Sequence, residues 1–555
     1  MSKASLFLGA LFCVVLAGSA QAQPRTVADI FDLLARQTLS ADTAQAQETL
    51  SRKAPSSDAS VAVQSAYLIE RAAAAARLGH LSAVIEARTK LVEISQTDHN
   101  LPKHLIDLSI NEMTAGNWSR AHAHVRRVTS APAAWWGQDI AAQSLAARMQ
   151  TFFGDTSSAR TQTDSIDALI RKGRSFVGSA GLTDLINAML GWAKADTLLA
   201  DGNVQAGERA LKAAHAHALA DTKLAASRSK TVERSPAEDV TWQLLDLIQM
   251  QLIRLHLRQG RLQEAELLGR QMIVRNADRY GRNSPSTALA LATLGEVLVA
   301  QGRYQESTAL ADAAVDDMKA LGVPASAGFS FYSRQVAIVS RIGILDWRGA
   351  VDRIDQLRES LTEDEFLLKS TERQPAWALA LLRMGRARQA AAWLTALVAE
   401  QERFLGADRY ETAESKGLLG VALAATGDTD RAFSYFAAAL PALTARRRGT
   451  ETEAEDALRR HVRRAIFEAY ADLIYQTRTF QSAAMVEDSF RLGDAMLGGA
   501  VQSALAASAA RARRWLRRPA VAARRATHTA AGRHGEVRPT PNGRCGRRLP
   551  THPSR

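Results

Sequence analysis

The chain has 555 residues and a formal net charge of +13, yet the charge sits at one end: residues 511–555 hold 13 of the 70 Lys and Arg residues and one of the 57 acids, which leaves 57 bases against 56 acids in everything before them. A body that is neutral overall gives no phosphate-tracking stripe to predict, so no nucleic-acid partner is expected for it. The only cysteines are Cys13 and Cys545, which excludes a disulfide framework and leaves stability to packing.

Residues 1–22 read as an export signal. Lys3 gives a positive start, Leu6 to Ala17 an apolar core, and Ala20-Gln21-Ala22 a small-residue cleavage site, so the mature chain would begin at Gln23 and work outside the cytoplasm, in a bacterial periplasm. The core is too short to span a bilayer, and no later segment is apolar enough for a membrane helix. Cys13 lacks the small-residue context of a lipidated cysteine.

From residue 23 onward alanine and leucine dominate, aromatics are 6% of the chain, and no stretch alternates β-branched residues; the expected class is all-α. Residues 23–224 read as degenerate helical repeats. In them a glycine is followed five residues later by a small or aliphatic residue at Gly79/Val84, Gly116/Ala121, Gly154/Ala159 and Gly202/Gly207. The intervals drift, so a run of helical hairpins without true repeats is the alternative. Residues 225–239, with Ser227, Ser229, Lys230, Ser235 and Pro236, read as a polar insertion.

Residues 240–450 carry the clear signal. Gly260/Ala265, Gly302/Ser307, Gly385/Ala390 and Gly427/Ala432 recur at intervals of 42, 83 and 42, and Asp346-Trp347-Arg348-Gly349-Ala350 is a degenerate copy inside the long interval. A fixed period of this length means a right-handed superhelical solenoid of stacked helical hairpins. In the best copy Leu291, Leu294, Val297 and Leu298 share one helical face, Gly302 ends that helix, and Tyr304, Ser307, Leu310, Ala311 and Ala314 face back from the next.

Residues 451–510 read as closing helices. Residues 511–555 differ in kind: Arg without Lys, five of the 14 prolines, and no helical periodicity past Leu516. That tail is expected to be disordered. Three readings stand for its origin, namely a coding sequence translated out of frame from near Arg511, a basic arm for an anionic surface, and a tail without a specific role.

Leu294-Gly295, Gly302, Tyr304, Ser307, Ala311 and Ala314, matched by Leu419-Gly420, Gly427, Ala432, Phe436 and Ala439, resemble the tetratricopeptide repeat. The 42-residue spacing is similar to its longer, kinesin-light-chain-like variant. Phe467 to Leu473, Phe490 to Ala495 and Val501 to Ala512 resemble the segment that closes the repeat array in bacterial CHAT proteins, where a caspase-like protease domain follows. No such domain follows here, so that family's catalytic His and Cys have no position in this chain.

No catalytic residue, cofactor site or metal site is predicted. Nucleophile-elbow, phosphate-loop and zinc-helix motifs are absent, and His215 and His217, two apart on a helix, point about 200° apart and cannot share a metal. Function is then expected in the solenoid surface. The first helices of stacked hairpins line a concave groove suited to an extended peptide or a partner's helix. The glycine-anchored register projects Arg254, Arg258, Glu296 and Arg383 toward that groove. Trp118, Trp192, Trp242, Trp347, Trp377 and Trp393 read as hairpin core; for Trp135-Trp136, adjacent helical residues that cannot both face one core, an exposed docking pair is the alternative to packing. The sequence therefore points to an exported scaffold that binds a protein or peptide and catalyses nothing; the alternative is the sensor half of a caspase-like peptidase without its catalytic half.

Overall fold

The computed structural model describes residues 24–36, 41–130, 136–152, 155–173, 180–228, 236–361, 365–444 and 457–477. The leader, Gly154, Trp135, residues 478–555 and both cysteines lie outside them. Every regular element among the described residues is an α-helix. The helices form hairpins in chain order: α3 (Val61–Arg77) with α4 (Leu81–Ile94), α5 (Leu101–Thr114) with α6 (Trp118–Thr129), α7 (Trp136–Phe152) with α8 (Thr156–Gly173), and α9 (Ala180–Ala200) with α10 (Val204–Arg228). The series continues with α11 (Pro236–Arg258) and α12 (Leu262–Tyr280), α13 (Pro285–Ala300) and α14 (Tyr304–Ala320), and α15 (Gly328–Gly343) and α16 (Trp347–Glu359). After the short α17 (Glu365–Glu372) come α18 (Pro375–Arg383) with α19 (Ala387–Phe404) and α20 (Tyr410–Thr426) with α21 (Thr429–Thr444). Two helices precede the first hairpin, α1 (Val27–Ala35) and α2 (Ala41–Ser51), and α22 (Ala457–Thr477) follows the last. The polar stretch 225–239 is divided between the end of α10 and the start of α11, with 229–235 outside the described residues.

The turn inside each hairpin shows why the glycines recur. Gly302 N–H donates to the Val299 carbonyl at 2.9 Å and Arg303 N–H to that of Leu298 at 2.8 Å, the pair of bonds that satisfies a helix's last carbonyls when the next residue is left-handed. Gly79, Gly116, Gly202, Gly260, Gly385 and Gly427 repeat this arrangement, all with positive φ. Between Gly302 and Gly385 the same pair of bonds is made by Leu345 and Asp346, and Leu345 is the one described residue other than glycine with positive φ, at 64°. The degenerate copy is thus a complete hairpin.

Position five after the turn is where the two helices cross. Ala121, Ala159, Ala265, Ser307, Ala350, Ala390 and Ala432 are all fully buried. Ser307 Oγ donates to the Gly295 carbonyl at 2.8 Å and lies 2.6 Å from Ser340 Oγ of the following hairpin, so the small side chain closes both the crossing and the stack. Tyr304 lies flat on Gly343, where an added Cβ would come 2.1 Å from its Cδ1. Each helix packs on its own partner and on the next hairpin, which buries an apolar stripe that no hairpin could bury alone. The result is an all-α solenoid of tetratricopeptide-type hairpins.

The amino-terminal hairpins also meet the repeats after residue 280. A Cβ on Gly79 would come 2.7 Å from Pro285 Cγ, and one on Gly116 2.4 Å from the Ser326 carbonyl oxygen. A cavity of about 70 Å³ lies in this seam, walled by Leu81, Val84, Asn111, Gln243, Pro285 and Phe329.

Candidate partner-binding face

The first helices α11, α13, α15, α18 and α20 carry the residues expected to face the groove. Arg254 on α11 and Glu296 on α13 sit one 42-residue period apart, and Arg254 Nε donates to Glu296 Oε2 at 3.2 Å. Tyr332 on α15 donates its hydroxyl to the same oxygen at 2.5 Å, and the Arg254 guanidinium stands 4.4 Å from the Tyr332 ring centroid. Burial, and after it the Glu296 carboxylate, pushes the Tyr332 phenol well above its ordinary value, so the hydroxyl remains a donor. Burial acts to lower the Arg254 guanidinium, but Glu296 and Tyr332 outweigh it and hold Arg254 above its ordinary value. Apart from Glu296, the run Thr287–Val299 of α13 is buried on all sides. Arg254 and Glu296 are therefore engaged with each other over a closed floor.

Arg258, one turn further on α11, is exposed and makes no ion pair among the described residues. Arg383, at the end of α18, is 45% exposed; its Nη2 lies 3.5 Å from Glu468 Oε2 on α22 and its guanidinium 6.0 Å from the Trp347 ring. α22 packs on α20 and α21 and also touches α18 and α15, so it runs along successive first helices. Gly417 permits this, since a Cβ there would meet Ile466 Cδ1 at 2.7 Å, and Phe436 and Tyr470 pack ring to ring at 5.2 Å. Leu345 and Met384, on neighbouring turns, are half exposed. Phe467 and Tyr470 of the closing-segment resemblance are buried packing residues of α22; Phe490 to Ala495 and Val501 to Ala512 lie outside the described residues.

The sequence places Arg254 and Glu296 in the same register of consecutive hairpins, but their contact with each other was not expected. Sequence reasoning missed Tyr332 and Glu468, whose positions depend on the length of the α14–α15 connection and on the path of α22, and neither is periodic. Trp192, Trp377 and Trp393 are buried, while Trp118, Trp242 and Trp347 are half-buried. Arginines lie over four of the indoles, Arg148 on Trp192, Arg279 on Trp242, Arg358 on Trp393 and Arg383 on Trp347. Of the Trp135-Trp136 pair only the Trp136 backbone, at the start of α7, is described.

His215 and His217 diverge onto different neighbours. His217 Nδ1 lies 2.8 Å from Asp184 Oδ1 on α9, whereas His215 faces Gln249 and Arg275 and is held below its ordinary value first by burial and then by Arg275. No cluster of three His, Cys, Asp or Glu side chains able to hold a metal occurs among the described residues, and no described helix is long and apolar enough to cross a membrane.

No protein-family model and no curated protein matches the chain. Solved structures similar to it are helical-repeat proteins. The nearly identical TPR-like repeats of a putative kinesin light chain from Podosopora anserina share 20% identity over 35% of this chain and 93% of that one, with a TM-score of 0.29. A signal transduction ATPase with a tetratricopeptide repeat sensor from Pyrococcus horikoshii shares 12% identity over 70% of this chain and 54% of that one, with a TM-score of 0.37. These superpositions are partial, and the fold assignment stands on the chain's own hairpins.

Proposed function

We propose that this chain is an exported repeat scaffold that binds a helical segment of another protein along its first helices and performs no chemistry of its own. The observation that carries the reading is α22: it runs along α20, α18 and α15 with Glu468 opposite Arg383. It is an example, within the chain, of the ligand this surface accepts, an amphipathic helix with an acidic residue beside an arginine. Arg258 extends the same face toward α11. Export is supported by the leader sequence of residues 1–22 alone.

The reading is tested with a photo-crosslinking residue in place of Arg258 or, as a control on the second-helix face, in place of the exposed Arg388. Periplasmic extract is expected to give a discrete adduct from position 258 that disappears when Arg383→Glu is added, and none from position 388. Equal labelling from both faces would sink it.

A further inference from the structure

α1 packs on α12, far along the chain: Arg270 Nη1 donates to the Pro24 carbonyl, 246 residues away, at 2.9 Å. The helix is locally well specified. Thr26 Oγ1 accepts from Asp29 N–H at 3.1 Å while Asp29 Oδ2 accepts from the Thr26 and Arg25 N–H groups, each at 2.8 Å, a reciprocal cap. These backbone bonds hold the Asp29 carboxyl below its ordinary value. Val27, Ile30, Phe31 and Leu34 fall at the spacing of one helical face, and Ile30 and Leu34 are 0% and 2% exposed in the cluster of Met272, Ile273 and Ala277.

A nine-residue helix is marginal in water, so α1 owes its order to the surface it meets. That surface owes little to α1. α12 is held by α11 and α13, and Arg270 keeps Glu266 through Nε and Nη2 at 3.0 and 2.6 Å whether or not Pro24 is present. What remains without α1 is an apolar strip with a cation at one end, aimed where a helix begins and where an acidic first turn is favoured.

We infer that the cleft along α12 is a receptor for an amphipathic helix, occupied in cis by α1 and available to a partner helix that presents the same apolar spacing behind an acidic first turn. Only residues 36–40 separate α1 from α2, so the tethered helix competes at high effective concentration and the partner must displace it.

The test uses the full chain with Ile30→Asp and Leu34→Asp, titrated against a fluorescent peptide of residues 24–36. The variant is expected to bind it saturably and at least about 50-fold more tightly than the unaltered chain does, because the tethered competitor is gone; the same peptide carrying Ile30→Asp is expected not to bind. A variant with unaltered helix content that binds no peptide overturns the inference, as does equal binding by the unaltered chain. Hydrogen exchange on the unaltered chain is independent of the variant's folding: excess peptide is expected to speed exchange of the amides of residues 27–35 at least about threefold and leave α13 unchanged. Exchange in α1 that peptide does not alter refutes displacement.

Discussion

The Arg254 guanidinium stands 4.4 Å from the centre of the Tyr332 ring, although the two residues belong to first helices with another hairpin between them, and both reach Glu296 on the helix that separates them. The three side chains tie α11, α13 and α15 together. Tyr332→Phe removes the donor that the buried phenol gives the carboxylate and is expected to cost about 1–2 kcal/mol, read as a lower urea midpoint. Arg254 is partly solvated, so Arg254→Ala is expected to cost less, about 1 kcal/mol. The double variant is expected to lose less than the sum of the two; simple addition would show that the cluster does not act as a unit.

Leu345 occupies a left-handed turn that seven other hairpins give to glycine. The conformation costs a residue with a Cβ about 1–2 kcal/mol, and the side chain is half exposed, so little burial offsets it. Leu345→Gly gives back part of that cost through unfolded-state entropy and is expected to stabilise by about 0.5–1 kcal/mol. Gly385→Ala, at φ 75° with open space around it, isolates the opposite change and is expected to destabilise by about 1 kcal/mol. Thermal melts of the two variants should move in opposite directions; a drop for Leu345→Gly would mean that the leucine side chain holds the turn.

The periodic part of the fold was legible because it is local. A left-handed turn needs glycine, and a helix crossing five residues later needs a small side chain, so Gly302 and Ser307 announce a hairpin without reference to anything distant. Leu345 blurred its copy because a stable stack tolerates one strained turn. The shared register of Arg254 and Glu296 was legible because it repeats, whereas their pairing with each other was not. Tyr332, Glu468 and the docking of α1 on α12 depend on how far each hairpin rotates against the last and on where the chain returns, which no single-repeat pattern encodes. The amino-terminal seam at Gly79 and Pro285 was hidden for the same reason.

Two sets of buried titratable groups pull the pH dependence in opposite directions. Burial pushes the Asp317 carboxyl up from 3.8 to about 6, against the nearby Arg282 and with help from Asp316. A raised acid binds more protons in the folded chain than in the unfolded one, so its contribution is full below the ordinary carboxylate value and is lost as pH rises through about 6. Asp317→Asn is therefore expected to raise stability at pH 8 by about 1 kcal/mol, discounted for partial solvation, and to gain nothing at pH 4.

His104 and His256 run the other way. Burial comes first for both, with Lys103 next for His104 and Arg261 next for His256, and holds them below 6.5. The unfolded chain then binds more protons, so their contribution is present above 6.5 and is lost as pH falls below it. His104→Gln is expected to flatten the loss of urea midpoint between neutral and mildly acidic buffer; an unchanged slope would show that His104 takes up its proton as readily in the folded chain as in the unfolded one.

Gly417 decides whether α22 can lie on α20. A methyl group there would sit 2.7 and 2.9 Å from Ile466 Cδ1 and Cγ2, distances at which α22 must move, since α20 is enclosed on its other faces. Overpacking of this kind costs about 1–3 kcal/mol, and Gly417→Ala is expected to lower stability by that amount while opening α22 to limited proteolysis before the repeats unfold. Adding Ile466→Val removes one of the clashing carbons and should restore part of the loss. Failure of that rescue would place the strain elsewhere than at this contact. Rescue together with renewed protection of α22 would show that the helix on the first-helix face is held by shape at Gly417, and that the Arg383–Glu468 pair, being exposed and therefore weak, sets its register rather than its affinity.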